Sequence, residues 1–352
     1  MSNQKSISSY FTSTNSPSRP RPAPSASPSP SPSQSQSQAQ SQSQSQPQSQ
    51  SQSQSQSQSH SHSGYRPPAR FAERAAKLQA VGAETRKVLP AILSRLPALD
   101  ASRSEVTHLE NLPPLRTADC PRHDRVRVSV VNGDSFTVAI ELAEKHAPPG
   151  TAPGAASRSV RPAVLNLASD RRPGGGWMNG ALAQEEALCY RSSLYLSLHA
   201  SYYPFRQLTG VYSPDVLIIR DQMSRGHALY TTPEAELPIV SVLSVAGLRN
   251  PPTKTVASVS ADREPVVREV FASEKDRELT RGKMRVCLRM AARAGNEILV
   301  LGALGCGVFK NPPEEVARCW ADVLGEAEFS GWWKEVAFAV LDRQGGEEHR
   351  SL

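Results

Sequence analysis

A short apolar run, Val164 to Leu167, leads into three successive glycines, Gly174 to Gly176, and then into Gln184, Glu185 and Glu186. That order dictates a buried strand, a tight loop and a helix. The glycines reach backbone conformations closed to other residues and remove the side chains that would hold a ligand's phosphates off the main chain. Carboxylates at the head of a helix sit against the positive end of its dipole.

The same unit recurs near the end of the chain, in EILVLGALGCGVFKNPPEEVARCWADVL. Here a strand runs into a second glycine loop, Gly302 to Pro313, and a helix follows with Glu314 and Glu315 in its first turn. Gly305 and Gly307 let backbone N–H groups face a pyrophosphate, and the prolines suit a helix start. Neither loop is a Walker loop, since no GK[ST] follows, and neither has the GxGxxG spacing of a Rossmann turn.

Around these units the pattern alternates. From Pro67, the residues Phe71, Ala75, Leu78, Val88 and Leu89 fall at near-helical spacing, an amphipathic helix covering the core. Residues 95–122 read as loop, Val126 to Val131 as a strand, Asn132-Gly133 as a turn, Ser135 to Lys145 as strand or helix, and His146 to Arg161 as a surface loop. Val211 to Asp221 reads as a strand with Pro214 at its entry, Leu237 to Leu248 as another, Arg263 to Arg293 as one long charged helix, and Val336 to Leu341 as the last strand. Strands alternating with helices predict an α/β sheet with helices on both faces, and ligands in such sheets sit beyond the strand ends, where the two glycine loops can converge.

Composition limits what else the chain can do. Of 352 residues, the first 63 are nearly all Ser, Gln and Pro. They hold too little apolar surface to offset roughly 1–2 kcal/mol of ordering entropy per residue, so a disordered tail and flexible tether is expected, its His60 and His62 being linker residues. The net charge of +7 fits an anionic partner, but acids and bases interleave in the folded part, which does not indicate a DNA-binding groove. The five cysteines form no CxxC pair, which argues for a reducing compartment and against structural zinc. No apolar run reaches the roughly 20 residues of a membrane span, so a soluble intracellular protein is expected.

Paired glutamates at a helix start can be mere dipole complements, and Phe309, Trp177 and Tyr195 suit core packing as well as ligand stacking. Cys189 and Cys306 lie near the loops with no histidine placed as a base beside either, which disfavours a cysteine nucleophile.

PGGGWMNGALAQEE (Pro173 to Glu186) resembles the signature of the microbial-type poly(ADP-ribose) glycohydrolases. YSPDVLIIRD, the Leu237 to Ala246 strand, LGALGCGVFKNPP and VAFAVLD follow in the family's order, so the resemblance covers about residues 66–343. It implies a macrodomain-like three-layer α/β/α fold with a mixed central sheet: a disordered tail over 1–63, a helical extension over 64–122, a catalytic core over 123–345 and a C-terminal tail over 346–352. It also implies an ADP-ribose pocket in which Gly174, Gly175, Gly176, Gly305, Cys306, Gly307 and Val308 line the substrate and Gln184 and Asn166 help to bind or orient it. Phe309 would pack near the distal ribose or adenine, and Asp134 would be an adenine-reading acid. Glu186 would catalyse and Glu185 would hydrogen-bond ribose hydroxyls, with no metal or cofactor. The family's loop is less charged where this chain has Asp170, Arg171 and Arg172.

The chemistry fits those roles. Splitting a ribose–ribose bond needs an acid for the leaving oxygen and then a base for water, and neighbouring carboxylates raise one another's pKa, helping Glu186 to hold a proton. Hydrolysis of poly(ADP-ribose) is therefore expected, with mono-ADP-ribosyl hydrolysis and non-catalytic ADP-ribose reading as alternatives, in a monomeric protein.

In the tail, Gln4, Ile7, Tyr10 and Phe11 match Q-x-x-[ILM]-x-x-[FY]-[FY] and resemble the box by which replication and repair proteins bind the sliding clamp, proliferating-cell nuclear antigen. The box implies a nuclear protein, possible also in the cytoplasm. The Ser-Gln alternation behind it is the dipeptide favoured by DNA-damage checkpoint kinases.

Overall fold

The computed structural model describes residues 69–151, 156–259 and 265–341. The tail over 1–63, with its clamp-box residues Gln4, Ile7, Tyr10 and Phe11, and the C-terminal tail over 346–352 lie outside the described residues.

Alternation along the apolar strands generates the layers. Nine strands are described: β1 (Glu105–His108), β2 (Arg127–Val131), β3 (Ala163–Leu167), β4 (Thr209–Leu217), β5 (Ile239–Val245), β6 (Thr253–Val259), β7 (Pro265–Phe271), β8 (Ile298–Leu301) and β9 (Glu335–Ala339). Seven of them form one sheet in the order β1-β4-β5-β3-β8-β9-β2. From β5 to β2 the neighbours are parallel, while β4 runs antiparallel to both β5 and β1. The register sets Val164 beside Val242 and Val300. All three point to one face, where Phe136, Ala139, Leu188 and Tyr190 cover them. Leu165, Leu243 and Leu299 point to the other, under Met284, Leu288, Val316 and Trp320. These central residues are buried on both faces of the sheet, each contributing roughly 1.5–3 kcal/mol of hydrophobic stabilisation. Helices on both faces of a mixed central sheet give the three layers expected.

Four segments depart from the sequence reading. Within 95–122, Glu105–His108 forms β1 and closes one sheet edge against β4, with Glu105 opposite Tyr212 and His108 opposite Thr209. Four residues with a single large aliphatic carry no readable alternation. Pro214 lies inside β4 rather than at its entry, where the register shifts between Ser213 and Val216, because a proline cannot donate to the ladder. Residues 263–293 are not one helix. An antiparallel hairpin, β6 with β7, comes first, and the helix Glu274–Arg293 starts only after Ser273, whose Oγ accepts from the Lys275 N–H at 3.1 Å. The surface loop over 146–161 contains one helical turn, Ala156–Ser159.

Two other elements are sharpened. Ser135–His146 is a helix, because the Asp134 carboxylate accepts from the N–H groups of Phe136 and Thr137 at its start. The first helix, Ala69–Ser94, continues through Pro90, with Leu89, Ile92 and Leu93 held in a small cluster with Leu217 and Ile239. Among the described residues no helix is long and apolar enough to cross a membrane.

Candidate active site

Both glycine loops leave the C-terminal ends of neighbouring parallel strands, β3 and β8, and the segment after β5 flanks them. A different cleft, of about 760 Å³, opens at the other end of the sheet between Arg103, Arg161, Tyr212, Asn296 and Lys334. Its polar floor is self-satisfied: Tyr212 reaches Ser241 and Asn296, while Arg103 and Arg161 hold Asp215. The paired carboxylates and the glycines are not there.

The first loop is built around its acids. Gly174 and Gly175 have φ of +63° and +58°, the left-handed region that side-chain-bearing residues rarely enter. A Cβ on Gly175 would lie 2.4 Å from Glu186 Oε1 and 3.0 Å from Glu185 Oε2, so glycine there makes room for both carboxylates. The turn presents the Gly176 N–H, which donates to Glu186 Oε1 at 2.8 Å. Beneath it, Trp177 is buried and Tyr190 Oη sits 2.8 Å from the carbonyls of Trp177 and Ala181. At the far end of the loop, a Cβ on Gly180 would lie 2.2 Å from the Ala75 carbonyl oxygen, so the first helix packs directly on the loop backbone.

Gln184, Glu185 and Glu186 open the helix Gln184–Arg191 and take three different roles. Gln184 is a tie to the strand rather than a free ligand group. Its Oε1 accepts from the Leu167 N–H at 2.8 Å, and its Nε2 donates to the Leu165 carbonyl at 2.7 Å and to Ser135 Oγ at 3.2 Å. Glu185 is 3% exposed, accepting from the Ser169 N–H at 2.7 Å and from Asn166 Nδ2 at 3.3 Å. Burial, more than the neighbouring charge of Glu186, pushes its carboxyl up to about 8. Burial therefore favours the neutral form of Glu185. Asn166 is wholly buried and also donates to Ser244 Oγ at 3.0 Å, so it orients Glu185. Asp134 is occupied as a helix cap and is paired with the buried Arg191 guanidinium, which accounts for its acid without an adenine.

The second loop depends on Asn311, a residue that sequence reasoning passed over. Its Nδ2 donates to the carbonyls of Leu248 at 2.6 Å, Gly305 at 3.1 Å and Phe309 at 3.3 Å. Gly305 has φ +76°, and its backbone lies so close to Gly247 that a Cβ there would be 2.6 Å from the Gly305 Cα. Gly307 faces open space, Val308 is exposed, and Cys306 is half-buried. The Arg249 guanidinium stacks 4.2 Å from the Phe309 ring centroid and pairs with Asp170, one of the charged residues of the first loop. Asp170 also accepts, through its carbonyl, from the Phe205 N–H at 2.8 Å. Phe205 stacks on Tyr203 at 4.5 Å, and the Tyr203 hydroxyl is raised chiefly by burial and then by the charge of Glu185. Tyr203, Arg249 and Gly247 carry no motif that could have announced them.

Cys189 is fully buried and its thiol is raised well above the ordinary range, and burial pushes Cys306 up to about 12. Neither supplies a thiolate nucleophile at neutral pH. Among the described residues, no three His, Cys, Asp or Glu side chains come together as a metal centre requires. What the site offers is a pair of buried carboxyls, Glu185 accepting from the Ser169 N–H and Glu186 from the Gly176 N–H, beside two glycine loops.

Known proteins share this arrangement of the chain. The model of the microbial-type PARG catalytic domain matches residues 34–221. The crystal structure of the poly(ADP-ribose) glycohydrolase of Thermomonospora curvata is 26% identical with a TM-score of 0.58, over 77% of this chain and 96% of that one. The same enzyme bound to the inhibitor ADP-HPD is 26% identical with a TM-score of 0.57 over the same shares. The Deinococcus radiodurans glycohydrolase in complex with ADP-ribose is 29% identical with a TM-score of 0.51, over 68% of this chain and 88% of that one. A search of curated proteins finds no match. With its two glycine loops, its Gln-Glu-Glu helix start and more than half its length matched by the family model, the chain belongs to the microbial-type poly(ADP-ribose) glycohydrolase family.

Proposed function

We propose that the protein hydrolyses the ribose–ribose O-glycosidic bond of poly(ADP-ribose) and releases ADP-ribose. The observation that carries this reading is the Gly176 N–H donating to Glu186 Oε1 at 2.8 Å, which ties an acid/base group to the loop fit for the diphosphate. The relatives that bind ADP-ribose and ADP-HPD support the same ligand for these loops. Gly174 to Gly176 and Gly305 to Val308 hold the diphosphate, and Phe309 packs near a ribose or the adenine. Glu185, carrying a proton at neutral pH, meets a ribose hydroxyl as donor or acceptor.

Glu186 gives a proton to the leaving oxygen as the bond to the anomeric carbon lengthens and oxocarbenium character develops. It then takes a proton from the water that adds to that carbon, which restores the acid. One bond is broken and one formed, with water as the sole co-reactant.

Gln4, Ile7, Tyr10 and Phe11 would bring the enzyme to the sliding clamp, proliferating-cell nuclear antigen, and so place it in the nucleus in the response to DNA damage. The support for this is the agreement of all four defined positions of the box. A peptide of residues 1–16 should bind the clamp and lose that binding with Tyr10→Ala and Phe11→Ala together.

The activity is tested by incubating the full chain with poly(ADP-ribose) and with mono-ADP-ribosylated protein. Release of ADP-ribose from the polymer is expected. Release only from the mono-modified protein would favour a mono-ADP-ribosyl hydrolase, and binding without release would leave a reader.

A further inference from the structure

We infer that Arg70, Phe71 and Arg74, at the exposed start of the first helix, form a second contact for the polymer and take the ADP-ribose unit on the leaving side of the cleaved bond. This rests on the proposed hydrolysis for its direction and on three separate observations for its place and chemistry.

The first observation is composition and exposure. Phe71 is 40% exposed, and Arg70 and Arg74 are exposed on either side of it. Their guanidinium carbons lie 4.9 and 5.2 Å from the Phe71 ring centroid. Among the described residues neither arginine enters an ion pair, whereas the neighbouring Lys77 is paired with Glu73. The Phe71 ring, partly in water between two cations, belongs to none of the hydrophobic clusters among the described residues. It suits a ligand that brings both a base to stack and phosphates to neutralise.

The second observation is continuity with the active site. Glu186 touches Gly176, and a Cβ on Gly176 would lie 2.8 Å from the Ala181 Cβ. The adjoining Gly180 packs on the Ala75 carbonyl, one residue past Arg74. An unbroken line of contacts therefore leads from the catalytic carboxyl along the first loop to the Arg70–Phe71–Arg74 cluster.

The third is the direction of the chemistry. The group that Glu186 protonates belongs to the unit that departs, so that unit lies on the Glu186 side of the site. Each such unit carries one adenine and one diphosphate, which matches one ring and two guanidiniums. A partner of this kind makes sense of a basic, aromatic helix start placed beside a loop whose Gly175 and Gly176 N–H groups are already taken by the Arg172 carbonyl and Glu186.

The test compares Arg70→Ala/Phe71→Ala/Arg74→Ala with the wild-type full chain on two substrates. One is long poly(ADP-ribose); the other is an aryl glycoside of ADP-ribose, whose leaving group is a phenol and cannot reach the cluster. Loss of one stacking and two phosphate contacts should raise KM for the polymer roughly tenfold or more. The values of kcat on the polymer and kcat/KM on the aryl glycoside should stay within about twofold, which also shows that the variant is folded. Equal KM values for the polymer would overturn the inference while leaving the hydrolase reading intact.

Binding separates the two claims from the other side. Labelled polymer should bind the Glu186→Ala chain roughly tenfold tighter than ADP-ribose does, with an advantage that shrinks as salt rises and disappears when the three helix substitutions are added. If wild type releases no ADP-ribose yet the polymer advantage is present and lost in the triple variant, the contact stands and the hydrolysis falls. Single-stranded DNA of equal charge displacing the polymer as well as unlabelled polymer does would overturn the inference in favour of a general nucleic-acid surface.

Discussion

The Gly176 N–H donates to Glu186 Oε1 at 2.8 Å, so the loop proposed to face the diphosphate also holds the carboxyl proposed to meet the scissile bond. Substrate binding and acid placement are thereby set by one backbone turn. A ligand that orders Gly174 to Gly176 orders Glu186 with it, and a change in the turn moves both.

Gly175 is the position least able to change. Alanine there would force a side chain into φ +58° and set its Cβ 2.4 Å from Glu186 Oε1. Backbone strain alone costs roughly 1–2 kcal/mol. Displacing the acid by even an ångström should lower kcat/KM on the polymer by about 100-fold. Steady-state kinetics beside thermal melting would show it, and a variant retaining wild-type kcat/KM would break the link between turn and acid.

Glu185 makes stability depend on pH. Its carboxyl is pushed up to about 8 by burial, so the folded state favours the neutral form. The stabilisation relative to an ionised pair is complete below the unfolded value near 4.5 and is lost as pH rises through 8. Urea denaturation at pH 5 and pH 9 should show wild type losing a few kcal/mol that Glu185→Gln does not lose. The same slope in both proteins would contradict a buried, protonated Glu185.

Asn311 holds the second loop by donating to three carbonyls, and Asn311→Ala leaves them without it. A cost of roughly 1–3 kcal/mol is expected from the unsatisfied groups. Because the loop is proposed to line the diphosphate, the affinity for ADP-ribose should fall as well, which isothermal titration calorimetry measures. Unchanged affinity with lowered stability would confine Asn311 to the fold.

Asp134 and Arg191 bind one another at the foot of the Ser135–His146 helix, with the arginine fully buried. Asp134→Ala removes a cap and strands a buried cation, for a loss of at least roughly 3 kcal/mol. A loss under 1 kcal/mol in chemical denaturation would show that the acid is there for a ligand instead.

The parts of the site that could be read from sequence are those that depend on the local chain. Three glycines followed by Gln-Glu-Glu fix a turn and a helix start, and Gly305 with Gly307 fix a second turn, whatever surrounds them. What escaped depends on which distant backbone comes near. Asn311 matters because Leu248, Gly305 and Phe309 present carbonyls to it. Gln184 looks like a ligand group until the strand end at Leu165 and Leu167 uses both ends of its amide. Glu185 favours its neutral form because tertiary closure buries it to 3% exposure, which its place in the sequence does not reveal. The same holds for the fold: the runs of Val, Leu and Ile in β3, β5 and β8 announce themselves, whereas β1 has only Val106 to show. The β6–β7 hairpin was hidden by the charged residues that run from it into the long helix.

The claim that Glu186 performs the hydrolysis is tested most directly by the rate at which the Glu186→Gln full chain releases ADP-ribose from poly(ADP-ribose), with ADP-ribose affinity measured on the same sample. Expected is a fall of roughly 10²–10⁴-fold in rate with binding retained, the range lost when one group serves as acid and base. A Glu186→Gln rate within tenfold of wild type would contradict it.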